Sequence, residues 1–348
     1  MQNTDENKVP PALALMNMIN GGWLSQAIAV AAKLAIADRL VEGPQTSATL
    51  AEATKTHAGS LHRLLRTLAS AGVFAEDEAG RFRLTPIAEL LRTNVPGSVR
   101  AFARMMNEDY RTRAYAELLD AVRTGEMAFT RAYGMTLFAF LEQHPEHARN
   151  FNEAMTAATG HVAAATVAAY DFSQFRCFVD VGGGSGQLAA AILAAYPSVR
   201  GIIFDLAAGV EGAPAYLAKA GVADRCQVVA GDFFQSVPSG ADAYLLKSVI
   251  HDWDDEHSLK ILANCRRAIP AHGKLLILEH VMPARVEATP AHQRVLMLDL
   301  NMLVLASGRE RTTGEYSHFL RGPASNRNGW SCRSPRLPAS SKQSPAHD

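Results

Sequence analysis

From about residue 12 to 165, apolar residues recur every three or four positions and β-branched runs are scarce, so this stretch predicts helices that each bury one face. Near residue 176 the period changes. FVDVG, GIIFD, CQVVAGD, AYLLKSV and KLLILEH are short apolar runs of strand length, with helical patterns such as QLAAAILAAYP and DEHSLKILANCRRAIP between them. Strand alternating with helix predicts a doubly wound, mainly parallel sheet. The expected division is a helical part over 1–165, an α/β part over 166–320, and a tail over 321–348 rich in Ser, Pro, Arg, Asn and Gly that carries no helix or strand pattern.

Residues 46–92 have a local order of their own. Thr46 to Thr54 reads as a short helix, Ser60 can cap the next one, LHRLLRTLASAGVF carries an apolar face at helical spacing, and EDEAGRFRLT reads as a hairpin turning near Gly80. Two helices and a hairpin make a winged-helix-like segment, which raises the question of DNA. The charges argue against it: Lys55, Arg63, Arg66, Arg81, Arg83 and Arg92 are nearly cancelled by Glu52, Glu76, Asp77, Glu78 and Glu89, and the wing opens with three acids. A packing or dimerisation module is the better expectation.

Composition narrows the picture further. The chain has 348 residues, roughly two domains at about 150 each. Its 34 Lys plus Arg balance 34 Asp plus Glu, so no overall field draws it to nucleic acid or an anionic membrane. With 48% apolar and 20% charged residues it is neither fibrous nor disordered as a whole. Cys177, Cys226, Cys265 and Cys332 form no CxxC or metal-ligand spacing, which fits reduced thiols. The start, MQNTDENKVPP, lacks the positive then apolar order of a signal peptide, and no run approaches the ~20 apolar residues of a membrane span. The Ala-rich run AIAVAAKLAIA over 27–37 is broken by Lys33 and reads as a buried soluble helix. A cytoplasmic protein is expected.

The candidate chemistry sits at the strand ends. Asp180 and the glycines from Gly182 to Gly186 follow the first strand and precede a helix, where backbone can turn tightly and N–H groups meet a ligand. The spacing is GxGxG, unlike the GxGxxG of dinucleotide binders, and Asp180 suits an ammonium better than a pyrophosphate. Asp205, ending the second strand, can accept from ribose hydroxyls. Asp232 and Phe233, ending the third, suit an adenine ring: the acid accepts from its amino group and the ring packs on its face.

With LLKSVIHDWDDEHSLKIL, LILEHVMP and GRERT added, the run from Asp180 onward resembles the S-adenosylmethionine-dependent O-methyltransferases of the plant caffeic acid type and their bacterial natural-product relatives. The resemblance spans about residues 12–320. It implies a Rossmann-like class I methyltransferase domain preceded by a helical dimerisation domain with a winged-helix-like segment. It also implies a homodimer, S-adenosyl-L-methionine as cofactor with S-adenosyl-L-homocysteine as product, and a small hydroxylated aromatic substrate. Carried over position by position, Gly182, Asp205, Asp232, Phe233 and Lys247 contact the cofactor, and His251 of HDW is the general base flanked by Glu279 and Glu310. Met155, Asn301 and Met302 fall where relatives line the acceptor pocket.

The chemistry of that trio agrees. A phenol with a pKa near ~10 is mostly protonated at neutral pH, so transfer of a methyl group to it gains from a base. Histidine, near ~6.5, suits the task when a carboxylate fixes its tautomer. The nearby acids 252 and 254–256 with His257 look like a helix N-terminus and no metal site is expected. Two other readings stand beside this one: a methyltransferase-fold hydroxylase or decarboxylase that keeps the cofactor as a structural element, and a non-enzymatic winged-helix regulator that senses a ligand. The sequence departs from the family after Leu320, where RGPASNRNGWS replaces the expected helix and strands. The change resembles a shifted reading frame near Arg321, and leads to the expectation of a sheet without its last strands.

Overall fold

The computed structural model describes residues 9–321 and 331–332. Its contacts divide the chain into two compact units, one of residues up to 109 together with 149–157, the other of 110–148 and the residues from 158 onward.

In the first unit the long helix Pro11–Lys33 leads into the helices Ser47–Thr54 and Ala58–Ser70. Strands β1 (Gln45–Thr46), β2 (Phe74–Glu76) and β3 (Arg81–Leu84) form an antiparallel sheet of order β1-β3-β2. Leu61, Leu65 and Leu68 recur at helical spacing and pack with Leu50, Phe74 and Phe82 into one core. Thr46 caps its helix through Oγ1, which accepts the Thr49 N–H at 3.2 Å. The next cap differs from the expectation: His57 rather than Ser60 ends the turn, its Nδ1 accepting the Ser60 N–H at 3.2 Å, so Ser60 lies inside the helix. The hairpin turns at Gly80, and Asp77 Oδ1 closes it by accepting the N–H groups of Ala79 and Arg81.

The second unit is built on a six-stranded sheet of β4 (Cys177–Val181), β5 (Arg200–Asp205), β6 (Cys226–Ala230), β7 (Ala243–Lys247), β8 (Lys274–Leu278) and β9 (Ser331–Cys332). The order is β6-β5-β4-β7-β8-β9 and every pairing is parallel. Alternate residues feed two cores. Phe178, Ile203, Leu245 and Leu276 pack with the helices Gln187–Ala195 and Ala213–Lys219, while Val179, Val181, Leu246 and Ile277 pack with Asp255–Ala268 and Thr313–Arg321. Burial on both faces is why these strands read as continuous apolar runs. The expectation of a truncated sheet falls on residues outside the described ones, apart from the backbone of Ser331–Cys332, which pairs with β8 at Leu276 and Ile277.

The strand order reverses between β4 and β7. In an open parallel sheet that reversal leaves a crevice at the carboxyl ends of the two strands, and the ligand site follows from it. The loop after β4 and the turn after β7 are therefore the places to look. Among the described residues no helix is long and apolar enough to cross a membrane.

Candidate active site

At the end of β4 the chain enters the glycine loop. Gly186 has φ +83°, and a Cβ placed there would stand 2.4 Å from Ile203 Cδ1, so neither the conformation nor the space admits a side chain. The loop is tied to the next strand by Asp205, whose Oδ2 accepts the Gly184 N–H at 2.9 Å and whose Oδ1 accepts the Leu206 N–H at 2.7 Å. Burial raises the Asp205 pKa, and these two N–H groups work against that. Asp180 lies under the loop with Oδ2 buried and without a hydrogen-bond partner among the described residues, and burial pushes its carboxyl up to about 7.

Two features fit S-adenosylmethionine at this place. A buried carboxylate oxygen, Asp180 Oδ2, lacks a donor among the described residues. A Cβ on Gly184 would meet no protein atom within 4 Å, so the loop is open on one side. Phe233 stands beside the loop, its Cε1 3.9 Å from where a Gly182 Cβ would lie. Asp232 is used locally: Oδ1 accepts the Phe234 N–H at 2.8 Å. Lys247, the last residue of β7, donates from Nζ to Thr159 Oγ1 at 2.9 Å. Burial lowers its pKa, opposed by Glu279, Asp180 and Asp252.

Past Lys247 the chain turns off the sheet through Ser248, at φ +53°, an uncommon conformation for a residue with a side chain and one that clusters at functional sites. A 3₁₀ turn, Ile250–Asp252, then presents His251. His251 is 7% exposed, and its Nδ1 lies 2.7 Å from Glu310 Oε1. Its Nε2 lies 3.6 Å from Asp252 Oδ1, too far for a hydrogen bond. Burial alone would lower the His251 pKa, but Asp252, Glu279 and Glu310 outweigh it and raise it to about 10.

The two glutamates have different tasks. Glu310 holds the ring. Glu279 Oε1 instead accepts the backbone N–H groups of Val249 and Ile250, at 2.9 and 2.8 Å, and so fixes the turn from which His251 projects. Burial raises the Glu279 carboxyl to about 7.

Arg311 was not anticipated as part of this arrangement. Its side chain is fully buried and donates to Ile250 O at 2.9 Å, Trp253 O at 2.8 Å and Asp255 Oδ1 at 2.8 Å. It thus clamps the turn on both sides of His251. Gly308 completes the fit, since a Cβ there would lie 2.0 Å from the His251 carbonyl oxygen. The signal was its place next to Glu310 in GRERT, but a guanidinium that binds carbonyls leaves no periodic trace.

Asn301 Oδ1 accepts from Arg111 Nη2 at 2.8 Å and from Tyr115 OH at 3.0 Å, and Met302 is buried. Met155 belongs to the first unit. A hollow lined by Gln174, Phe175, Arg176, Asp242, His272 and Lys274 lies at the opposite, amino-terminal edge of the sheet and takes no part in this arrangement. Among the described residues no group of three or more His, Cys, Asp or Glu could hold a metal ion.

A glycine loop at the switch point of a parallel sheet, beside a buried histidine and carboxylates, defines a nucleotide-cofactor enzyme of the class I methyltransferase fold. The O-methyltransferase domain family matches residues 115–324 and the O-methyltransferase dimerisation domain family matches 16–94, and the chain belongs to the S-adenosylmethionine-dependent O-methyltransferases. It is 48% identical over 315 residues to the phenazine O-methyltransferase PhzM of Lysobacter antibioticus, covering 90% of this chain and 91% of that one. It is 37% identical to the mitomycin biosynthesis 6-O-methyltransferase of Streptomyces lavendulae over 92% of each. Among solved structures, human N-acetylserotonin methyltransferase in complex with S-adenosylmethionine superposes with TM-score 0.81 at 27% identity, over 90% of this chain and 92% of that one. The chain is a methyltransferase whose cofactor is S-adenosylmethionine.

Proposed function

We propose that this enzyme methylates a phenolic hydroxyl on a small fused-ring aromatic metabolite, with His251 as general base. The observation that carries the reading is the buried His251–Glu310 contact of 2.7 Å beside the switch-point crevice. Relatives support the acceptor class: one is a phenazine O-methyltransferase, and a structure 33% identical holds 2-hydroxy-5-methyl naphthoic acid with S-adenosylmethionine.

S-adenosylmethionine supplies, when bound, a methyl group on a positively charged sulfur that is open to in-line displacement. Asp205 would hold its ribose, Asp232 and Phe233 its adenine, and Gly182 and Lys247 would border it. His251 takes the phenolic proton on Nε2 as the oxygen becomes nucleophilic, while Glu310 keeps Nδ1–H as a donor and stabilises the imidazolium that forms. In the free chain His251 is raised to about 10 and so carries a proton at neutral pH. With a second positive charge beside it, His251 becomes less basic and the neutral ring becomes available. A neutral amine already has a lone pair, so a positioned base favours a hydroxyl acceptor over a nitrogen one.

The first unit supports assembly as a homodimer. The helix Pro11–Lys33 exposes Leu13, Leu15, Met16, Met18, Ile19 and Trp23 at 48–75%, and the dimerisation domain family matches from residue 16.

The test is incubation with methyl-labelled S-adenosylmethionine and a panel of hydroxyphenazines, hydroxynaphthoic acids and their amino analogues. Labelled methyl ethers are expected. Transfer only to nitrogen, or none while S-adenosylhomocysteine binds, would overturn the acceptor assignment.

A further inference from the structure

Among the described residues the Glu310 carboxylate has one hydrogen-bond partner, the imidazole of His251 on Oε1. Its Oε2 is buried and has no hydrogen-bond partner among the described residues. A carboxylate held at one oxygen by the group it is meant to orient cannot set its own position. The aim of Glu310 must come from its backbone.

Two groups fix that backbone. Downstream, Arg311 anchors the chain to the histidine turn, and its carbonyl accepts the Met282 N–H at 3.0 Å. Upstream, the Glu310 N–H donates to Asp299 Oδ1 at 2.8 Å. Asp299 lies on the helix Pro290–Leu305, eleven residues earlier in the chain, and is half-buried. The segment between passes over the turn with Gly308 against the His251 carbonyl. Without Asp299 the Glu310 N–H loses its acceptor, and the backbone that aims the carboxylate at Nδ1 loses its upstream hold.

We infer that Asp299 is a positioning residue for the reaction: by accepting the Glu310 N–H it sets the carboxylate that orients His251. This rests on the reading of His251 as the base. Among the described residues Asp299 makes no hydrogen bond or ion pair to the imidazole or to the glycine loop, so its effect runs through the geometry of Glu310 and His251.

The experiment compares Asp299→Ala, Asp299→Asn and His251→Ala in the full chain, each labelled with ¹⁵N in the histidine ring. Ala is a strong helix former, so the helix is not weakened at this half-buried site; Asn keeps an oxygen acceptor in the same place. In the wild type, the Nδ1–H of His251, 2.7 Å from Glu310 Oε1, is expected to give a downfield proton resonance, assigned by its absence from His251→Ala. Asp299→Ala is expected to shift or lose that resonance and Asp299→Asn to restore it, with S-adenosylhomocysteine affinity unchanged throughout. A general loss of stability would leave the native resonance in place. With a hydroxyphenazine as probe acceptor, Asp299→Ala should also slow transfer about 10²-fold, the scale for a misplacement of ~1 Å. An unchanged resonance in Asp299→Ala overturns the inference. A shifted resonance beside a His251→Ala variant of normal rate overturns the base reading and leaves the Asp299 geometry standing.

Discussion

His251 Nδ1 and Glu310 Oε1 lie 2.7 Å apart although 59 residues separate them, and both side chains are buried. The pair couples the turn after β7 to the loop after the helix Pro290–Leu305. A base held in this way should show itself kinetically. His251→Ala is expected to slow methyl transfer on the order of 10²–10⁴-fold. Calorimetric titration should find S-adenosylhomocysteine binding as tightly as before. Near-normal turnover would mean that proximity alone suffices.

Glu310→Gln keeps the shape of the site and removes one of three carboxylates that raise His251. The His251 pKa must then fall. Because the reactive form is the neutral ring, the rising limb of the rate-against-pH profile should move to lower pH. The plateau should drop as well, because the neutral amide cannot stabilise the imidazolium. A limb that stays in place would show that Glu310 does not feel the proton on His251.

Much of this was legible in the sequence, and the reason is physical. Strands buried on both faces leave apolar runs, so β4 to β8 could be placed within a residue or two. The chemistry-bearing residues stand at the strand ends in chain order, which is what a parallel sheet requires. Three things were not legible. The division of labour between Glu279 and Glu310 depends on which donor each reaches, and a sequence position does not tell backbone from ring. Arg311 acts through carbonyls, which every residue has. The helix cap at His57 rests on a ring nitrogen standing in for the hydroxyl that Ser60 offered.

Asp205→Ala removes the acceptor for the Gly184 and Leu206 N–H groups together with the proposed ribose contact. Hydrogen bonds to a charged group are worth about 1.5–3 kcal/mol. The Kd for S-adenosylhomocysteine should rise about 10- to 100-fold, read by calorimetry. Unchanged affinity would place the ribose elsewhere.

Arg311→Met should destabilise the fold. Asp255 is half-exposed and regains water, so the loss comes chiefly from the two charged hydrogen bonds to the Ile250 and Trp253 carbonyls, which keep only the weaker contacts of the Trp253 N–H and the Ser258 hydroxyl. At about 1.5–3 kcal/mol for each hydrogen bond from a charged donor, the sum is about 3–6 kcal/mol. Urea unfolding should show a lower midpoint with an unchanged slope. A midpoint within error of the wild type would mean that the turn repacks without its clamp.

The buried acids make stability depend on pH in an uncommon direction. Glu279 titrates near 7 in the folded chain and near 4.5 when unfolded, so over that window the folded state binds the extra proton. Stability therefore falls as pH rises from about 4.5 to about 7, opposite to a carboxylate held in an ion pair. Glu279→Gln keeps an oxygen for the Val249 and Ile250 N–H groups and has no proton to lose. Relative to the wild type, the variant should gain stability progressively across that window, on the order of 3 kcal/mol in all. Asp180 titrates alike in both chains and cancels in the difference of melting temperatures, whereas His251 and Lys247 lose a carboxylate that raises both, so the carboxyl is read from the lower half of the window, below the ordinary range of histidine. A difference that does not change with pH would mean that Glu279 is ionised in the folded chain throughout, with burial offset by its two N–H donors and by the His251 charge.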